Sequence, residues 1–79
     1  MNIFVLVEYI LPEGVRIHGI FTTLQGAVDA VPKCDIWNKC DALIAEVPFD
    51  TPLTGPDAAP NERLVSQVAA YELDGTKLT

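Results

Sequence analysis

Apolar residues fill positions 3–11 (IFVLVEYIL) almost without a break, and they are the β-branched and aromatic types that suit a pleated strand. In a strand, Ile3, Val5, Val7, Tyr9 and Leu11 share one face; Phe4, Leu6 and Ile10 share the other, with Glu8 set among them. A strand apolar on both faces belongs inside a sheet, covered on both sides. Pro12 and Gly14 then supply turn chemistry. VRIHGIF (15–21) resumes the alternation, with Val15, Ile17 and Phe21 set against Arg16 and His18. Together the two runs predict a β-hairpin.

From Thr22 the period changes. Leu24, Ala27, Val28 and Val31 fall at i, i+3, i+4 and i+7, one stripe of a short helix. Thr22 or Thr23 is placed to cap its start, and Pro32 to end it. CDIWNKC (34–40) is the connector to a third predicted strand, ALIAEV (42–47). Four prolines at 48, 52, 56 and 60 then exclude both helix interior and central strand, so 48–62 is expected as a Pro-rich loop. Residues 61–71 fit either a helix capped by Asn61 or a strand. The strand is preferred because Asp74-Gly75 is a tight-turn signal that would fold TKLT back beside it. The fold expected is α+β: a four- to five-stranded antiparallel sheet in the order ββαββ, with one helix packed on one face. The whole chain, 1–79, is read as one small domain.

Composition turns this shape toward association. The chain has 79 residues, 49% of them hydrophobic, and a core this small gives marginal stability on its own. A single helix is expected to leave the second sheet face apolar and open. A homodimer or a docked protein partner follows, with Phe4, Leu6, Ile10 and Trp37 as the expected contact residues. Eleven acids against five scattered bases give a net charge of −6, without the basic patch that nucleic-acid binding requires. The apolar N-terminus has no basic leader and is broken by Glu8, far short of the ~20 residues of a membrane span. The expected compartment is therefore the cytoplasm, with no membrane association and reduced thiols.

Little in the chain has the pattern of a reaction centre. Cys34 and Cys40 are separated by five intervening residues and His18 is the single histidine, so the ligand count for a zinc site is not met. A disulfide between them would need an irregular loop, and free thiols are the default reading. Trp37, between them, is expected to plug the end of the core, with a surface anchor as the alternative. Glu8 is expected to pair across the hairpin with Arg16 or His18. No catalytic residue, cofactor site or metal site is assigned. A small ligand-binding or thiol-redox module built on Cys34, Cys40 and the Pro-rich loop is the second functional reading.

The strand NIFVLVEY, the strand end HGIF, the helix start TTLQGA and a closing strand such as IAEVPFD or AAYELDG together resemble small bacteriophage and bacterial proteins with a β-β-α-β unit. The likeness covers residues 2–31 and, loosely, the closing strand. That family carries no assigned activity. What the resemblance implies is context: a small, phage-encoded accessory protein in the host cytoplasm. Small size, an open apolar face, an acidic surface and the missing reaction centre give the functional expectation, a non-enzymatic protein that binds a host protein and inhibits or redirects it.

Overall fold

The computed structural model describes residues 1–10, 14–50 and 67–78 of the chain. Among the described residues five strands form one antiparallel sheet: β1 (Asn2–Ile10), β2 (Gly14–Phe21), β3 (Ala42–Pro48), β4 (Ala69–Tyr71) and β5 (Lys77–Leu78), in the spatial order β2-β1-β3-β4-β5. One helix, α1 (Leu24–Ala30), follows β2, and two 3₁₀ turns, Val31–Lys33 and Lys39–Asp41, lead from it to β3. The α+β class is as expected. Among the described residues the order is ββαβββ rather than ββαββ, because both AAY and the short KL segment pair as strands. Pro48 is the last paired residue of β3, opposite Asn2, so the predicted loop begins later than position 48. The rest of that loop and the helix-or-strand choice for 61–66 lie outside the described residues.

The helix forms where its stripe was read. The Thr23 side chain accepts a hydrogen bond from the Gly26 amide at 3.0 Å, satisfying one of the free N–H groups of the first turn. Ala27 is fully buried, and Leu24, Val28 and Val31 pack with it against Leu6 and Ile44 of the sheet. A helix of 7 residues is too short to persist alone; the sheet holds it in place.

The alternation in β1 is also as read. Val5 and Val7 join Leu43, Ala45, Val47 and Ala70 in one cluster, with Ile3, Tyr9, Val15 and Leu78 packed against it. Leu6 and Phe4 join the helix side. The expectation of a bare second face does not hold. Val5, Val7, Ala45 and Val47, all on the face opposite α1, have no exposed surface within the single chain. Leu6 is equally buried under the helix, Phe4 packs beside it, and Ile10 is half-buried at the end of β1. Leu6 is therefore a core residue and not a contact residue, and Phe4 packs partly buried beside it.

A β-bulge interrupts the hairpin. Val7 lies opposite Ile17 but Leu6 opposite Gly19, which leaves His18 as an extra residue in β2. One inserted residue reverses the facing of everything after it. Val15 and Ile17 therefore share the Val5–Val7 face, whereas Phe21, read from strict alternation as sharing it too, lies opposite Phe4 and packs under the helix.

The last hairpin rests on Gly75. Its φ of +94° lies in the left-handed region, and a Cβ there would sit 3.3 Å from Val28 Cγ2 on the helix. The Gly75 amide donates to Glu72 O at 2.9 Å, and the Glu72 amide to Thr76 O at 2.7 Å. Gly75→Ala is expected to lower stability by about 1–2 kcal/mol through backbone strain alone. Urea denaturation followed by circular dichroism would show it as an earlier midpoint with an unchanged slope.

Candidate functional site

Among the described residues Glu8 is the one charged side chain in the buried core, 1% exposed, on the helix side of β1. A carboxylate taken out of water must be matched by hydrogen-bond donors, or its burial destabilises the fold. Three donors converge on it. His18 Nε2 lies 2.8 Å from Oε1, and the His18 side chain is itself only 8% exposed. Oε2 accepts from two successive backbone amides of the connecting loop, Trp37 N at 3.1 Å and Asn38 N at 3.0 Å. His18 keeps the alternation set by Arg16 and so stands on the helix side, and the bulge shifts the facing of the residues that follow it.

Burial pushes the Glu8 pKa up and is the largest single influence on it. The His18 hydrogen bond, the Asn38 and Trp37 amides and the His18 charge together outweigh it, so the carboxyl is held below its usual value of 4.5. Glu8 is thus an ionised acceptor, and His18 Nε2 must donate to it. With its oxygens engaged by three donors, this carboxylate serves as a clasp between hairpin and loop.

The loop so fastened is further braced by Asn38. Its Oδ1 accepts from the Cys40 amide at 3.1 Å, and its Nδ2 donates to Asp41 Oδ2 at 2.8 Å. Cys34 N closes the preceding turn on Val31 O at 3.2 Å. Ile36 and Cys34 face the core under the helix, but Trp37 points outward. Its exposure is 72%, which corrects the reading of the indole as a core plug. The reason is local: the Trp37 amide is bound to Glu8 below, so the side chain is directed away from the core. The Arg16 guanidinium stacks 5.1 Å from the indole centroid. In register Arg16 lies opposite Glu8, yet the side-chain hydrogen bond of Glu8 goes to His18. Arg16 and Trp37 flank a cavity of about 340 Å³ together with Ile10, Gly14 and Val15.

Along the outer strand β2, next to this pair, Ile17 and Ile20 are 44% and 56% exposed. A second polar cluster sits at the other end of the sheet. Glu46 accepts from Tyr71 OH and from Asn2 Nδ2, both at 2.7 Å. The Tyr71 hydrogen bond, then that of Asn2, holds the Glu46 carboxyl below its usual value, and the same Glu46 contact raises the Tyr71 phenol. The two cysteines carry free thiols. Cys40 is exposed and lines a cavity of about 700 Å³ with Tyr9, Lys39, Leu43, Glu72 and Leu78. Among the described residues no three His, Cys, Asp or Glu side chains are grouped to hold a metal ion, and no helix is long and apolar enough to cross a membrane.

The signs of these shifts set a pH dependence. Glu8 and Glu46 have folded-state pKa values below their unfolded ones, so each stabilises the fold above about pH 4.5 and loses that contribution as the pH falls. Tyr71 is shifted the other way, so its contribution is present below about pH 10 and is lost above it. Denaturation midpoints measured from pH 3 to 11 should fall at both ends. Tyr71→Phe is expected to remove the alkaline loss and to reduce the acid one to what Glu8 and the Asn2–Glu46 bond carry.

Comparison of the chain with protein families, with characterised proteins and with solved structures returned no match.

Proposed function

We propose that this chain is a non-enzymatic protein-interaction module that binds another protein and blocks or redirects it, using the rim formed by Trp37, Arg16 and the outer strand β2. The observation that carries this reading is the exposed Trp37, whose backbone is anchored by a buried carboxylate. Exposing a large indole forgoes the burial energy it would gain in the core. Fixing its backbone lowers the ordering entropy lost on binding, which is how a rigid hot spot gains affinity. Tryptophan and arginine are the types most enriched at such hot spots. The test immobilises the wild-type chain and its Trp37→Ala variant side by side and compares what each retains from a cell extract. A protein held by wild type and released by at least tenfold from the variant supports the reading. Identical captures from the two chains contradict it.

A second reading rests on the larger cavity and the Cys40 thiol on its wall. In it the chain binds a small molecule or exchanges electrons through Cys34 and Cys40. Thiol titration before and after reductant separates the two: a gain of two thiols on reduction favours this second reading, and an unchanged count removes its redox form.

A further inference from the structure

The pairing of β3 with β4 joins Glu46 to Ala69, Ala45 to Ala70 and Ile44 to Tyr71, and stops there. Continued in the same register, it would set Leu43 opposite Glu72, Ala42 opposite Leu73 and Asp41 opposite Asp74. These residues instead line the cavity of about 700 Å³. The chain leaves β3 at Glu72, whose amide donates to Thr76 O at 2.7 Å and so enters the closing turn. On the other edge of β3, Ala42 and Leu43 stay paired with Glu8 and Val7 of β1. The sheet is therefore split at this end, and the cavity is a wedge between the start of β3 and the last hairpin.

Size and lining both bear on what fills the wedge. Its volume lies within the range of small-molecule sites, about 300–1,000 Å³. Tyr9, Ala42, Leu43, Leu73 and Leu78 give it apolar walls, with Leu43 buried and both Leu73 and Leu78 half-buried. The charged lining residues, Lys39, Asp41, Glu72 and Asp74, are all exposed and so stand at the mouth. Three carboxylates are thus set against one ammonium. Asp41 is held by Asn38 Nδ2 at 2.8 Å and Asp74 by the Thr76 amide at 2.9 Å, which fixes their positions. The Glu72 carboxylate makes no hydrogen bond or ion pair among the described residues.

Resting on the ligand-binding form of the second reading, we infer that the wedge takes a small amphipathic cation, an apolar body carrying one amine. The body lies against Tyr9, Leu43 and Leu78, and the ammonium meets the carboxylates at the mouth, Glu72 first. The body gains by leaving water. The ammonium gains from a rim of opposite charge that the bound ligand itself partly shields from solvent. An anion of the same shape meets the same walls but a repulsive rim, and that difference is the selectivity. Carboxylic acids and phosphates are disfavoured on the same ground. Because the rim is exposed, the preference for the cation should shrink as salt is added.

The Cys40 thiol on the wall reports occupancy. Alkylation of the unaltered chain by iodoacetamide is followed at Cys40 by peptide mass spectrometry, with Cys34 under the helix as internal control. Three probes share one apolar body: phenylbutylamine, phenylbutanol and phenylbutyrate. The amine should slow Cys40 at least fivefold at saturation and leave Cys34 unchanged. Its half-saturation should lie at least tenfold below that of the acid, with the alcohol between them. Glu72→Gln should raise the half-saturation of the amine about threefold and leave the alcohol as it was; an unmoved amine overturns the role of this rim. A common half-saturation for the three probes overturns the cationic class but keeps the wedge as an apolar site, so the second reading survives. No slowing by any probe, or equal slowing at Cys34, overturns the site and the ligand-binding form of that reading with it.

Discussion

Replacing Glu8 with alanine is expected to destabilise the domain by about 3–5 kcal/mol, the range for removing one member of a buried, hydrogen-bonded charged pair. The substitution leaves the Trp37 and Asn38 amides and the His18 ring without their acceptor, in a place water enters poorly. A domain of this size has a total stability of only about 5 kcal/mol, so much of the Glu8→Ala protein should be unfolded at 37 °C. Glu8→Gln is the more informative partner variant. It keeps the shape and one carbonyl acceptor but replaces the other oxygen with an NH₂ that cannot serve the donors, and it removes the charge. It should fold with an intermediate loss, and with a weaker decline in stability between pH 4.5 and 3. Urea denaturation of the three proteins at pH 7 and pH 3.5 checks both statements; equal stability of wild type and Glu8→Ala would rule out the clasp.

The second large effect is expected at Leu6. This side chain has no exposed surface and sits between Ile44 and Ala27, at the centre of the contact between sheet and helix. Leu6→Ala removes its transfer energy and leaves a cavity, together about 3–4 kcal/mol in a site that can collapse only partly. The same substitution separates core from surface. If Leu6 were a contact residue for a partner, alanine would weaken binding and leave the isolated chain nearly as stable as before. Chemical denaturation and a binding assay on one preparation therefore give opposite answers for the two roles.

Much of the sheet was legible because β1 is written in period two and α1 in period 3.6, and the two signals do not overlap. The closing turn at Asp74-Gly75 was legible for a similar reason: one glycine at positive φ carries it. The phase of β2 was not. A bulge adds one residue without changing composition, and strict alternation then assigns Phe21 to the wrong face. The available signal was Gly19 directly after His18 inside a strand, since glycine in a strand often marks a bulge. Trp37 was misplaced because hydrophobicity alone sends an indole inward; what directs it outward is a pair of backbone amides, which no side-chain pattern records. Glu8 was singled out from its apolar neighbours, and its pairing with His18 was one of the two expected. Its hold on the loop joins residues 29 and 30 positions away, and nothing local in the sequence connects them. The inference of an open second face failed because the burial of Val5, Val7, Ala45 and Val47 is visible only in three dimensions.

The tie between Glu8 and the tryptophan loop is best tested by amide hydrogen exchange, residue by residue, in wild type and Glu8→Gln. In wild type the Trp37 and Asn38 amides should exchange at least a hundredfold more slowly than in an unstructured peptide. In the variant both should speed up while the amides of β1 and β3 stay protected. Rapid exchange of these two amides in the native wild-type protein would mean that the buried carboxylate does not hold them.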